Sequence, residues 1–274
     1  MNLYEEITNK IIEALEKGVV PWHCPFKRCA LPTNYKTGMS YNGMNTIVLW
    51  LENFFNGYTS HYWLGFGQAK QLNGKIKKGE KATKIIAYCT KKIEKEKENE
   101  SDGKEFAITH FFRTESVFNL DQIEGISFDA DNENIFEVAE LDELIKKLSA
   151  NIRHQGERAY YNSTDDYINM PLKSKFEDTE GYYSTLLHEL VHWSGHKSRL
   201  NRLNIENTAE QAFEELVAEI GASFLCAEYG IKPNIANTSS YVASWLKALQ
   251  SDKNYIYKAV KQANSAVIYL KNPK

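Results

Sequence analysis

The sequence predicts an α+β fold in two domains, a mixed α/β first half and a mainly helical second half with a small sheet. Three observations carry the prediction. Apolar residues recur at helical spacing in four segments after residue 180, and two β-rich runs before residue 120 flank a charged tract. An acidic stretch without regular period, residues 127–143 (SFDADNENIFEVAELDE), lies between them. The length of 274 residues suits two domains of ordinary size, set at 1–126 and 127–274, and 42% hydrophobic content supplies their cores.

The first predicted helix is LYEEITNKIIEALEKG, with Ile7, Ile11, Ile12 and Leu15 on one stripe and Gly18 as its stop. Residues 19–46, rich in Pro, Gly, Asn and aromatics, read as an ordered irregular loop. A short helix around Asn45–Phe54 follows, then a helix-like stretch, WLGFGQAKQLNG, ending at Gly74. Lys75–Gly79 is a basic turn. Thr83–Cys89 and Phe106–Phe118 are strands, and KKIEKEKENESDGKE (91–105) is a solvated hairpin tip between them. In the second half Leu141–Arg153 reads as helical, and AYYNSTDDYINMP as two short strands about a polar turn. Helices are expected over 180–194, 208–229, 239–250 and from about 254 to 270.

Charge and composition exclude several classes. With 33 basic against 36 acidic residues the net charge is -3, so a uniformly basic nucleic-acid coat is ruled out, though not a local patch. No stretch approaches the ~18–20 apolar residues of a membrane helix. The acidic start, MNLYEEITNK, lacks the layout of a signal peptide, and a cytoplasmic location with no membrane partner is expected. Four scattered cysteines (Cys24, Cys29, Cys89, Cys226) are expected to be reduced thiols.

The sharpest chemical signal is His188-Glu189-Leu190-Val191-His192. One helical turn separates the two histidines by about 40° around the axis, so both imidazoles can reach one ion. Glu189 is then placed to act as general base toward a metal-activated water. Asp178 or Thr179 is the expected N-cap, with Gly195 just past the end. A pentapeptide alone arises by chance, so a third ligand is required. In FEELVAEIGA, Glu215 and Glu219 lie opposite an apolar stripe and beside the small residues Ala218 and Ala222. Glu215 is assigned as third ligand and Glu219 as the acceptor that orients a ligand imidazole, with Glu214 a weaker candidate. The expected cofactor is Zn2+, another divalent transition metal being an alternative. A three-histidine scheme fails because Ser198 occupies the required position and His196 is out of register. For the oxyanion, Tyr241, Tyr183, His196 and Arg199 are chemically able; Tyr241 is carried forward as the candidate. Tyr167–Met170 is a candidate edge strand for pairing an extended peptide.

The signal in the first half is softer. Lys70–Lys84 holds six lysines against Glu80, and aromatic residues are interleaved from Trp22 to Phe66. Lysines that neutralise phosphates beside rings that stack on bases make a single-strand platform; the other reading is core rings and a solvated lysine face. Trp22, Lys27, Arg28, Tyr41, Lys75, Lys77, Lys78 and Lys81 are the candidate DNA contacts.

Several stretches together resemble the ArdC-type antirestriction proteins over nearly the full length. They are YEEITNKIIEALEKGVVPWHCPF, TGMSYNGMNTIVL, WLGFGQAKQLNGKIKKGEKATKII, VFNLDQIEG, AYYNSTDDYINMP, YYSTLLHELVHWSGHKSRLNR and EELVAEIGASFL. The resemblance implies an N-terminal single-stranded-DNA-binding domain and a C-terminal zincin-like metallopeptidase domain. It further implies carriage on a mobile element, protection of incoming DNA from host restriction, and an unidentified protein substrate, a restriction-system component among the candidates. Phe26 departs from the pattern, which leads one to expect a second Trp there, and the 91–105 tract is an embellishment. Two rivals stay open: a DNA-binding antirestriction protein whose zinc is structural or non-catalytic, and a DNA-triggered protease that cleaves a repressor.

Overall fold

The structure, a computed structural model, describes residues 3–25, 29–94, 106–126, 138–233 and 238–273. Phe26, Lys27 and Arg28, residues 95–105 of the charged tract and residues 127–137 of the acidic stretch lie outside the described residues. The architecture is mixed α and β in two parts, as the sequence predicts, with eight α-helices among the described residues.

In the first part α1 (Leu3–Glu16) buries Ile7, Ile11 and Leu15, the predicted stripe. Helix α2 (Met44–Asn56) is apolar on nearly every side because it is covered twice. Leu49 packs with Trp63, Ile85 and Val117 beneath a sheet, while Ile47, Val48, Trp50 and Leu51 enter the main core. That sheet has the order β1 (Thr33–Asn34), β2 (Tyr62–Gly65), β5 (Phe106–Asn119), β4 (Thr83–Glu94), with β1 parallel to β2 and the other pairs antiparallel. Strands β4 and β5 form a long ribbon in register from Thr83↔Val117 to Glu94↔Phe106. A small pair, β3 (Lys75–Ile76) with β6 (Ile123–Glu124), flanks α3 (Phe66–Gln71).

The second part opens with α4 (Val138–Leu148) and a three-stranded sheet of order β7 (Ile152–His154), β9 (Tyr167–Met170), β8 (Tyr160–Asn162). Helices α5 (Thr179–Ser194), α6 (Thr208–Glu228), α7 (Thr238–Ser251) and α8 (Tyr255–Lys271) complete it. One apolar core runs through both parts. Trp22 meets Trp245 edge-on with ring centroids 5.3 Å apart, Trp50 meets Phe224 at 6.0 Å, and the Thr8 hydroxyl donates to the Lys253 carbonyl at 3.1 Å.

Two segments predicted as helical differ, and short strands β1 and β3 stand within the expected loop 19–46 and the expected turn Lys75–Gly79. The start of WLGFGQAKQLNG is strand β2, because Trp63 and Leu64 fill opposite sides of the sheet in two separate apolar clusters. The helix assigned to Leu141–Arg153 stops at Leu148, after which Ser149 adopts a positive φ of 51° and the chain enters β7. No described helix is long and apolar enough to cross a membrane. Cys29 and Cys226 are buried, and none of the four cysteines is in a disulfide.

Two predictions follow from this packing. Trp22→Ala removes a fully buried indole and is expected to cost about 3–5 kcal/mol in urea unfolding, a loss that a surface stacking residue would not produce. Burial lowers the pKa of His61 from 6.5 to about 4. The unfolded chain therefore takes up this proton first as pH falls below 6.5. Roughly 3 kcal/mol of stability present above pH 6.5 is lost by about pH 4. The stability difference between wild type and His61→Gln should shrink over that window; a constant difference would refute the assignment.

Candidate metal centre

Helix α5 begins at Asp178, whose side chain accepts the Gly181 N–H at 2.7 Å and leaves the helix dipole well terminated. Tyr183, Leu186, Leu187, Leu190 and Val191 sink into the core. The chain has no freedom to turn this helix, so His188 and His192 emerge together, with their Nε2 atoms 3.1 Å apart. Helix α6 crosses close by: a Cβ on Gly221 would lie 3.0 Å from a methyl of Val191, tighter than ordinary packing. That approach delivers Glu215, whose Oε2 stands 3.4 Å from His188 Nε2 and 3.7 Å from His192 Nε2. Among the described residues this is the one group of three His, Cys, Asp or Glu side chains that could share a metal ion. Donors about 2.0–2.1 Å from a tetrahedral ion lie roughly 3.3 Å from one another, so the three atoms already span the right triangle.

The imidazole of His192 is gripped from behind by Glu214, with Nδ1 2.9 Å from Oε1. Glu214 is in turn held by Arg202, Nη2 to Oε1 at 2.9 Å and Nε to Oε2 at 3.0 Å, in a fork buried on both sides. The guanidinium also donates to Ser194 Oγ at 2.8 Å and to the Val191 carbonyl. Gly195 makes room for it, since a Cβ there would lie 2.9 Å from the Arg202 guanidinium carbon. Successive glutamates thus straddle one ring, Glu214 on Nδ1 and Glu215 toward Nε2. Burial opposes an imidazolium at His192, yet the two carboxylates carry its pKa up to about 10. Burial likewise opposes the Glu215 carboxylate, but His188 and His192 hold it well below the usual range. The cluster stabilises positive charge at its centre.

Glu219, expected to orient a ligand imidazole, has its Oε2 3.5 Å from Nε2 of His23, and Glu214 is the carboxylate that holds His192. The sequence signal for Glu214 is Arg202 itself, an arginine that needs a carboxylate once Gly195 lets it fold inward. Glu189, 7% exposed, lines a cleft of about 630 Å³ together with His188, His192, Glu215 and Tyr241. Burial and then the Glu215 charge raise the Tyr241 phenol pKa, so it remains a proton donor. The other oxyanion candidates are committed elsewhere. Tyr183 donates to Asp142 at 2.7 Å and accepts from Lys173 at 2.8 Å. Arg199 grips Asp166 and the Trp193 carbonyl, tying the β8–β9 turn to the loop after α5, while His196 Nδ1 lies 2.7 Å from Ser198 Oγ. Strand β9, expected at an edge, is central and paired on both sides; β8 is the strand beside the cleft.

Of the DNA-contact candidates, Trp22 is wholly buried and has no face for a base. Tyr41 is half-buried, takes a hydrogen bond from Asn34 at 3.3 Å and lines a cavity of about 570 Å³ at the junction of the two parts. Lys75, Lys77, Lys78 and Lys81 are exposed, Lys77 donating to the Asp121 carbonyl at 2.6 Å. Lys27 and Arg28 lie outside the described residues.

Two stretches of the chain match known families. Residues 1–118 match the family described as the N-terminal domain of anti-restriction factor ArdC, and residues 139–262 match a zincin-like metallopeptidase family. The crystal structure of metal-free antirestriction protein ArdC from plasmid R388 superposes with TM-score 0.82 at 38% identity, covering 99% of this chain and 97% of that one. Its Mn(II)-bound form gives 0.79 at 37%, covering both chains entirely. The protein y4eC of Sinorhizobium fredii (strain NBRC 101917 / NGR234) is 31% identical over 96% of this chain and 89% of its own length. DNA primase TraC of Escherichia coli is 34% identical over 95% of this chain, which spans about a quarter, 26%, of that relative.

Glu214→Gln leaves the three converging donors in place but frees the His192 ring to turn. It is expected to weaken divalent-metal affinity about ten- to hundredfold in competition with a chelator, while Glu215→Ala abolishes stoichiometric binding. Equal affinities for wild type and Glu214→Gln would refute the orienting role.

Proposed function

As this chain belongs to the ArdC antirestriction family, with a zincin-like second part, we propose that it shields incoming DNA from host restriction by two working surfaces. Residues 1–126 hold single-stranded DNA, and residues 127–274 hydrolyse a peptide bond at a metal held by His188, His192 and Glu215. The observation that carries the hydrolase reading is the triangle of donor atoms with Glu189 beside it in the same cleft.

The donor set of two imidazoles and one carboxylate suits zinc, and the R388 relative was crystallised with Mn(II). A divalent ion held by His188, His192 and Glu215 would supply Lewis acidity toward the scissile carbonyl and toward a water. Glu189, nearly buried in the same cleft, would accept a proton from that water and pass it to the leaving amine. Tyr241, kept protonated, donates a hydrogen bond to the oxyanion. Glu214, locked by Arg202, keeps His192 turned toward the ion. Strand β8 borders the cleft through Tyr160 and Tyr161 and offers a sheet edge along which an extended peptide can align. For the first part, the exposed lysines between 75 and 81 and the match to the ArdC N-terminal family support DNA binding.

Glu189→Gln tests the reading. In metal-loaded protein it is expected to keep full metal content while cleavage of a peptide library, followed by mass spectrometry, falls roughly a hundred- to ten-thousandfold. If Glu189→Gln also protects conjugated DNA in a restricting host as well as wild type does, hydrolysis is not the protective step and the metal has a structural role.

A further inference from the structure

We propose that single-stranded DNA docks on the outward face of the β4–β5 ribbon, with Tyr88 and Phe112 as its stacking rings. This rests on the nucleic-acid reading above and names the surface that performs it. Tyr88 and Phe112 are cross-strand partners in the register, with centroids 5.5 Å apart and planes at 57°. They are 60% and 67% exposed, although large aromatic side chains are ordinarily drawn into a core. On the opposite face of the same strands Ile85 and Val117 are buried, and of the rings that composition first suggested for stacking the three tryptophans, Trp22, Trp50 and Trp63, are buried as well. Alternation along the strands therefore sends this ring pair outward, away from the face that carries Ile85 and Val117.

The electrostatics select the occupant. Between residues 75 and 92 the chain carries seven lysines against Glu80 alone. Lys84, Thr114 and Ser116 share the outward face with the ring pair, and no described side chain on that face between 84 and 90 or 112 and 116 is acidic. Glu115 points to the other face, where Arg113 pairs with it. Exposed Lys77, Lys78 and Lys81 lie in the loop that leads into β4, so positive charge continues up to the rings. Lysines meet phosphates, and each ring accepts an unpaired base irrespective of its identity; in a duplex the bases are stacked on one another and out of reach. A peptide strand added along β4 is disfavoured, because Asn45 already bonds the edge, donating to the Ile86 carbonyl at 2.8 Å and accepting its N–H at 2.9 Å.

The test is fluorescence anisotropy of a labelled oligothymidylate with the full-length protein, repeated across salt and with a duplex control. Tyr88→Ala/Phe112→Ala is expected to weaken single-strand binding at least about tenfold with an unchanged melting temperature, since both rings are exposed. Lys81→Ala/Lys84→Ala should flatten the log–log salt slope by roughly 0.7 per lysine. Wild-type binding with an unaffected ring variant overturns the ribbon assignment and leaves the nucleic-acid reading standing; no binding by wild type overturns both. If the ring variant instead converts a dimer to a monomer at unchanged oligonucleotide affinity, the ribbon is a self-association surface and the proposal fails.

Discussion

The buried fork between Arg202 and Glu214 is the contact on which the candidate centre depends. Two charges with 6% and 5% side-chain exposure are costly to desolvate, and such a pair is a poor source of net stability. What it supplies is direction. Glu214 can accept from only one side of the His192 ring, and Arg202 keeps it from rotating away by adding bonds to Ser194 and the Val191 carbonyl. A ligand imidazole free to spin would lose entropy on each binding event; one held at Nδ1 has already lost it. The loop after α5, from Gly195 to Arg202, therefore belongs to the site even though none of its residues faces the cleft.

The same economy appears between the two parts of the chain. Trp22, from the first part, packs edge-on against Trp245, and Trp245 stacks on Tyr241 at 6.0 Å with planes 21° apart. Tyr241 lines the cleft together with Glu215, so this part of the lining is braced by a side chain from more than two hundred residues earlier. His23, next to Trp22, reaches Glu219 on α6. A shared core of this kind makes the two parts mechanically one body around the cleft, and damage to the first part is felt in the second as altered packing.

Much of the candidate site was legible because its chemistry is local. His188, Glu189 and His192 are fixed relative to one another by helical geometry alone, and the Glu215 assignment needed only a second amphipathic helix with small residues on its inner side. The outer layer was not legible in the same way. Glu214 and Glu219 differ by five positions on one helix, and which of them meets His192 depends on the crossing of α6 over α5 and on where the post-α5 loop brings Arg202. The rings of the first part show the same limit. Trp22 and Tyr88 are equally suited to stack on a base by residue type, but one is walled in by α7 and the other stands on a ribbon that projects from the sheet.

The α+β class, most helices, the long hairpin and the three side chains that converge, His188, His192 and Glu215, were readable from the amino-acid sequence, because these follow from period, capping and spacing within short windows. Only the tertiary structure decided which carboxylate orients His192, that β9 is central rather than at an edge, and which aromatic residues remain outside. Those outcomes depend on contacts between segments distant in the chain, where a rotation of one helix by a fraction of a turn exchanges one neighbour for another.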